Sequence, residues 1–410
     1  MKKIIGLTKI KNESDIIESL CRYAVEFCDA LLLYENDSMD STRDIVQGLI
    51  DEGLPIHFVD DIKEDIKKGR IKDSIVAMMQ RAFDEFNADI VLTFDADEFL
   101  CTTDGRNPRD ALERLDETVE YRILWRTYVY QGESADNKLF LPCRFEYYRN
   151  PQFDTMTKAV MSRYLYEVKQ ARPGVACHFL SYPFDPNKKS SEDVSSESHS
   201  LYSRFDKGHR DVEVVFSDVL RYAHYPIRSK AQLMSKIIPN WVWQLRAPDR
   251  EEASTPWKNI YDYFKLHGDI SEDAIQKHSL EYTTWQFDEA IKRIKELDGD
   301  VVIRNPLPTE FCKGDLRLKY TDYKDMEKTW IKTALTVFED VLTLLPEREA
   351  EAVYLMRQTR QHNYDLRNAL DAKDRQIAEL TETIAQIYAS RSWKLGHFFG
   401  RAYRMLRPSS

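Results

Sequence analysis

Over the first hundred residues the apolar positions switch repeatedly between a strand-like run and a helical spacing. Lys3-Ile4-Ile5-Gly6-Leu7-Thr8 is a short apolar run. Asn12-Glu13-Ser14-Asp15 then offers N-caps to a helix carrying Ile16, Ile17, Leu20, Tyr23, Ala24 and Phe27. Ala30 to Tyr34 repeats the strand, and Asp37 to Thr42 caps a helix with Ile45, Val46, Leu49 and Ile50. Pro55 to Val59 gives a third strand, followed by a basic stretch and a helix from Ile71 to Phe86. Ile90-Val91-Leu92-Thr93-Phe94 is the fourth. Strands alternating with helices of this length predict a parallel, right-handed βαβ sheet whose active edge lies at the strand C-termini. Asn12, Glu35, Asn36 and Asp95 are then expected on one rim.

The fourth run ends in Asp95-Ala96-Asp97-Glu98. Two carboxylates one residue apart at the end of a buried strand place hard oxygen donors where open α/β sheets bind ligands. Such a pair suits Mg²⁺ or Mn²⁺ shared with substrate phosphates. The competing reading is an acidic doublet that caps the next helix. The pattern points to an enzyme acting on a phosphorylated donor.

Asn12-Glu13 after the first strand, Glu35-Asn36-Asp37-Ser38-Met39-Asp40-Ser41-Thr42 after the second and Asp95-Ala96-Asp97-Glu98 after the fourth resemble the nucleotide-sugar-binding half of family-2-like glycosyltransferases with the GT-A fold. In that family the second motif reads Asp-Asp-Gly-Ser-x-Asp-Gly-Thr. Ser38, Asp40 and Thr42 match it, while Glu35, Asn36, Asp37 and Ser41 depart from it. A later element, His224-Tyr225-Pro226-Ile227-Arg228-Ser229-Lys230, resembles a His-Tyr-x-x-Arg-Ser segment of a bacterial branch of these enzymes.

The resemblance implies an α/β, GT-A type (Rossmann-like, mainly parallel sheet) domain and a nucleotide-sugar donor, with a UDP-sugar as one option. It implies donor contacts from Thr8, Asn12, Glu13, Glu35, Asn36, Arg70, Asp95 and Arg228, the last as a diphosphate clamp. Asp95, Asp97 and His224 become the metal ligands, and an imidazole among them favours Mn²⁺ over Mg²⁺. Inverting transfer also needs a general base for the acceptor hydroxyl. Asp154, Glu146 and Glu98 are candidates; Asp154 is preferred because it follows the aromatic region in an irregular segment.

Tyr121 to Tyr130 alternates like a strand and is rich in aromatics, as suits either a core strand or a surface that stacks on sugar rings. Phe145 to Arg149 and Lys158 to Met161 are expected to add strands or rim, and His178 to face the site. Residues 185–211 are too polar to fold alone and read as a lid or as a passive insertion.

The expected domain layout is a transferase domain over 1–230, divided into a donor half (1–100) and an acceptor half (101–230). A helical extension follows over 231–345, then a coiled coil over 347–388 and an amphipathic basic tail over 389–410. Met356, Asn363, Leu370, Ile377 and Ile384 recur every seven residues, which predicts a homodimer or oligomer; a solvated single helix is the alternative. Arg391, Lys394, Arg401, Arg404 and Arg407 lie among Trp393, Phe398, Phe399 and Tyr403 with no acid, a pattern that fits an anionic membrane surface. Ser390-Arg391-Ser392-Trp393-Lys394-Leu395 also resembles a tail of bacterial polysaccharide glycosyltransferases, which implies a glycan or lipid-linked acceptor.

The 410 residues and 42% hydrophobic content allow two or three domains with a real core. No run is long enough to span a bilayer and Met1-Lys2-Lys3 leads straight into a strand, so a cytoplasmic protein, peripheral at the inner face of the cell membrane, is expected. Cysteines at 21, 28, 101, 143, 177 and 312 show no zinc spacing. A charge of −10 argues against a nucleic-acid partner. Two alternatives compete with transfer: a non-catalytic sugar-binding scaffold, and a nucleotidyltransferase, whose Gly-rich basic loop after the first strand is missing.

Overall fold

The structure, a computed structural model, describes residues 1–68, 73–132, 139–154, 156–183, 212–244, 255–267, 269–283, 287–314 and 316–321, with residues 329, 332 and 334. Arg70, the segment 185–211, the coiled coil and the basic tail lie outside the described residues.

Strands β1 (Ile4–Ile10), β2 (Ala30–Glu35), β3 (Ile56–Phe58) and β4 (Ile90–Phe94) pair in parallel in the order β3-β2-β1-β4. The helices between them are α1 (Ile17–Ala24), α2 (Thr42–Asp51), α3 (Ile62–Lys67) and α4 (Ser74–Asp84). The expected alternation of strand and helix is present. The helix expected from Ile71 to Phe86 starts instead at Ser74, because the Asp73 carboxylate caps it by accepting the Ile75 N–H at 2.8 Å. Central strand β1 buries both faces, with Ile4, Ile5 and Leu7 fully enclosed. Gly6 is required there: a Cβ would meet Leu31 at 2.6 Å and Phe94 at 2.7 Å.

The chain then builds a second sheet from β5 (Glu98–Thr102), β6 (Glu120–Thr127), β8 (Thr157–Ala159), β12 (Val214–Phe216) and β13 (Leu220–His224). β13 runs antiparallel to β5 and parallel to β6, which also pairs with β12 and β8. The aromatic run expected from Tyr121 to Tyr130 is therefore a strand only to Thr127; Tyr128 continues as a bridge to Tyr148. β7 (Tyr147–Arg149) pairs with β14 (Val302–Arg304), and β9 (Met161–Ser162) joins the first sheet antiparallel to β4. α5 (Pro108–Glu113), α6 (Arg163–Glu167), the pair β10 (Arg172–Pro173) and β11 (Leu180–Ser181), and helices α7 (Lys230–Gln244), α8 (Thr255–His267), α9 (Glu272–Glu281) and α10 (Phe287–Glu296) complete the described elements.

Two compact units result. One comprises Met1–Leu233 with Gln276–Trp330, the other Met234–Ile275 with Ile331–Ser410. The stretch read as a helical extension thus divides between them. In the first unit the returning segment is held by β14 on β7, by Ala290 and Ile294 packing on Phe153, and by the Ser279 hydroxyl, which accepts the Tyr130 N–H at 2.8 Å. It is held also at Glu18, whose buried carboxylate accepts the consecutive N–H groups of Lys319, Tyr320 and Thr321 at 2.8 to 2.9 Å. In the second unit Ile260, Ile270 and Ile275 are buried. Among the described residues, no helix is long and apolar enough to cross a membrane.

Candidate functional site

The register of the parallel sheet sets the rim. Thr8 lies opposite Phe94 and Ile10 opposite Glu35, so the residues after β1, β2 and β4 leave along one edge. Asn12 and Asp37 both turn there with φ of 55° and 52°, a left-handed conformation that Asn and Asp tolerate better than other side-chain-bearing residues. Asp37 thus occupies with a carboxylate a place where the family pattern has glycine.

Ser38, Asp40 and Thr42 brace the loop after β1. The Ser38 hydroxyl accepts the Asn12 N–H at 3.0 Å, the Thr42 hydroxyl the Glu13 N–H at 2.8 Å, and the Asp40 carboxylate the Ser14 N–H at 3.0 Å. Asn12 replies by accepting the Met39 N–H at 2.7 Å. Three side chains at alternate positions thereby satisfy three consecutive backbone donors, which explains the spacing physically. Glu35 is buried and accepts the Ser38 N–H at 2.5 Å, with Lys63 at 3.0 Å. Burial alone would raise its carboxyl; the bonds from Ser38 and Lys63 outweigh it and hold the group below the usual range. Asn36 donates its N–H to Ile10 at 2.9 Å, and Thr8 is buried within β1, short of the rim.

The acidic tetrad splits in two directions. Asp95, with a side chain 54% exposed, meets Lys158 on β8 at 2.9 Å, and the same ammonium lies 3.3 Å from Glu98. Lys158 is almost wholly buried and also donates to the Ala176 carbonyl at 3.0 Å. The packed surroundings disfavour charge on Asp95, but Lys158 holds its carboxyl below the usual range. Glu98 is fully buried, caps the turn by accepting the Asp95 N–H at 2.9 Å, and is pushed up to about 8 by burial, against the pull of Lys158. One cation and one anion with a proton-holding Glu98 form a balanced trio.

Asp97 points the other way. Its Oδ1 lies 3.9 Å from Nε2 of His224, the last residue of β13, and its Oδ2 lies 3.5 Å from Arg228. The pairing of β13 with β5 creates this meeting, since it sets His224 opposite Glu98 and lets the Tyr225 N–H donate to the Asp97 carbonyl at 2.8 Å. Trp125 on β6 packs its indole on the His224 ring, with centroids 4.0 Å apart, and meets His178 at 5.4 Å. His178 donates from Nδ1 to the Thr157 carbonyl at 2.5 Å; burial, aided by Lys158, lowers it to about 4, so the ring is neutral at physiological pH.

Ligands at about 2.1 Å from a small divalent ion stand roughly 3 to 4 Å apart, so the Asp97–His224 separation fits two ligands of one ion. Asp95 is turned to Lys158, and among the described residues no group of three His, Cys, Asp or Glu is gathered to hold a metal. Asp97 and His224 would hold the ion as a pair, with water or substrate oxygens in the remaining positions.

Arg228 and Asp154 are both engaged by partners within the protein. Arg228 directs its donors at Asp15 (2.7 and 2.9 Å), Glu13 (2.6 Å) and the Tyr225 carbonyl (3.2 Å), and with 1% of its side chain exposed it ties the loop after β1 to the segment after β13 and to Asp97. Asp154 receives Arg149 at 2.8 and 2.5 Å and the Thr127 N–H and hydroxyl at 3.1 and 2.8 Å, so its oxygens are engaged in a buried network. Glu146 pairs with Arg304 at 2.9 Å. The sequence reading missed Lys158 and Asp15. A lone lysine in the apolar strand pattern Thr157-Lys158-Ala159-Val160-Met161 is the signal that would have found the first.

No family model and no curated protein matches this sequence. Among solved structures, three crystal structures of glucosyl-3-phosphoglycerate synthase from Mycobacterium tuberculosis show partial likeness. The one with Mn²⁺, UDP and phosphoglyceric acid is 19% identical over 24% of this chain and 34% of its own, with a TM-score of 0.18. The one with Mn²⁺, UDP-glucose and phosphoglyceric acid is 17% identical over 30% and 44%, with a TM-score of 0.22. The one with phosphoglyceric acid is 16% identical over 30% and 44%, with a TM-score of 0.21. This chain spans less than half the length of each. At these scores the likeness is confined to short stretches and assigns no role to any residue.

Proposed function

We propose that this chain is a GT-A-type, divalent-metal-dependent glycosyltransferase that moves a sugar from a nucleotide-sugar donor to a glycan or lipid-linked acceptor, probing the donor at the rim of β1, β2 and β4. The observation that carries the reading is the convergence of the Asp97 carboxylate and the His224 imidazole, 3.9 Å apart, beside that rim. The bound ion, Mn²⁺ in preference to Mg²⁺ for the sake of the imidazole, would offset charge on the departing diphosphate. Asp97 and His224 hold it. Arg228 fixes Asp97 and the loop after β1 in one frame through Glu13 and Asp15. Lys158 keeps Asp95 oriented, and Trp125 fixes the plane of the His224 ring. Glu98 serves as a proton-holding neighbour of Asp95.

The test is release of nucleoside diphosphate from a panel of nucleotide sugars, with Mn²⁺, Mg²⁺ or chelator. Turnover is expected only with metal, and Asp97→Ala and His224→Ala should each abolish it while the circular dichroism spectrum is unchanged. Full turnover by Asp97→Ala in chelator would overturn the assignment.

A further inference from the structure

We propose that Arg126 and Arg221 form a binding site for a phosphate-type oxyanion on the face of the second sheet opposite His224. The register sets the two arginines on one face. β6 and β13 run parallel with Ala223 opposite Arg126, Tyr222 opposite Trp125 and His224 opposite Thr127. Side chains alternate along each strand, so Arg126, Ala223 and Arg221 share a face while Trp125 and His224 take the other. On β5 the residue opposite Arg221 is Cys101, which is buried beneath the pair. Arg126 and Arg221 are therefore diagonal neighbours on adjacent strands, within mutual reach of long side chains.

The second observation is what surrounds them. Arg126 lies over the Tyr148 ring at 4.7 Å, and Arg221 donates to the Ser217 and Leu220 carbonyls at 2.5 and 2.7 Å. Both are half-buried. Among the described residues no carboxylate forms an ion pair with either; Asp218 acts on Arg221 only from beyond that distance. Four other enclosed arginines of this unit do have one: Arg122 has Glu120 at 2.8 Å, Arg149 has Asp154, Arg109 has Asp29 at 2.9 Å, and Arg22 has Glu18 at 3.0 Å. Two like charges on adjacent strands repel: burial and the charge of Arg126 make Arg221 release its proton more easily than usual, while at Arg126 the effect of burial is outweighed by Cys101, Tyr128 and Tyr148, which hold its charge. An oxyanion between them offsets both charges, and a pair of guanidinium forks matches the tetrahedral oxygens of phosphate. His224 and Trp125 lie on the opposite face, so this site is separate from the His224 side of the sheet.

The test is thermal unfolding of the full chain titrated with inorganic phosphate against potassium chloride at constant ionic strength. A saturable rise of about 2 °C is expected once phosphate reaches about ten times its dissociation constant. Arg126→Gln and Arg221→Gln should each lose the rise, and His224→Ala should keep it. Methyl phosphate in place of phosphate separates the two sources of the oxyanion: an equal rise shows that a phosphate group carried on a larger molecule is accepted, and a rise with inorganic phosphate alone identifies the free ion, both within the proposal. If Arg221→Gln fails to fold, the ³¹P line width of phosphate with wild type and with Arg126→Gln decides, broadening being expected only with wild type. No saturable rise in wild type, an equal rise in both glutamine variants, or a rise lost in His224→Ala would overturn the site.

Discussion

Arg228→Gln tests the brace that ties the loop after β1 to the end of β13. In the folded chain the guanidinium makes two charge-assisted bonds to Asp15, whose side chain is 1% exposed, and one to Glu13, which is 14% exposed. Removing one partner of a buried ion pair costs about 3 to 5 kcal/mol, because the other charge is left enclosed. Glutamine retains an amide donor, and Glu13 can turn to water, so the lower end, about 3 kcal/mol, is expected. Against a domain stability of roughly 5 to 15 kcal/mol that leaves most molecules folded and the effect measurable.

The assay is urea unfolding followed by circular dichroism, read as a shift in midpoint at unchanged slope. Arg228→Lys keeps the charge without the fork and should recover only part of the loss. The decisive comparison is a cycle with Asp15→Asn: if Asp15 is what suffers, the double variant is more stable than the sum of the singles by about 1 to 3 kcal/mol. A loss below about 1 kcal/mol, or additive singles, would refute the brace.

Glu98→Gln should flatten the dependence of stability on pH. The Glu98 carboxyl is raised from 4.5 to about 8, so the folded chain binds its proton more tightly than the unfolded one. That contribution is complete below pH 4.5 and is lost as pH rises through 8. The rise corresponds to at most about 5 kcal/mol, less where Lys158 shares the change, and parallel urea-midpoint profiles for wild type and variant from pH 5 to 8 would count against it. For the tail, we propose from sequence that residues 389–410 dock on an anionic membrane surface, each cation contributing roughly 1 kcal/mol. Truncation before Ser390 should release the protein from anionic liposomes in co-sedimentation at low salt; equal binding by both proteins would assign the tail another partner.

The parallel sheet was legible because its strands are short, β-rich and flanked by caps, so period and punctuation agree from Lys3 to Phe94. Where two signals competed, the outcome was local. Asp73 stopped the backward extension of α4, although Ile71 suits the helical period. The site was legible only as far as its donors lie next to strand ends. Asp97 and His224 are 127 positions apart and meet because β13 lies antiparallel on β5, a pairing that no local pattern specifies. The partners of Asp154 and Arg228 were hidden for the same reason. Each has the right residue type near the right place, but their partners, Arg149, Asp15 and Glu13, are determined by the packed structure.

Charge balance across the rim connects these findings. Near Asp95 the account closes locally: Lys158 answers Asp95, and burial keeps the proton on Glu98. On the Asp97 side Arg228 faces three carboxylates, those of Glu13, Asp15 and Asp97, at 2.6, 2.7 and 3.5 Å. Arg228 engages the first two by hydrogen bonds and reaches Asp97 only at the longest of these distances. Asp97 stands next to an imidazole that can act as a ligand only in its neutral form. A divalent cation between Asp97 and His224 would add its charge at that carboxylate without displacing Arg228 from Glu13 and Asp15, and would leave Asp95 with Lys158.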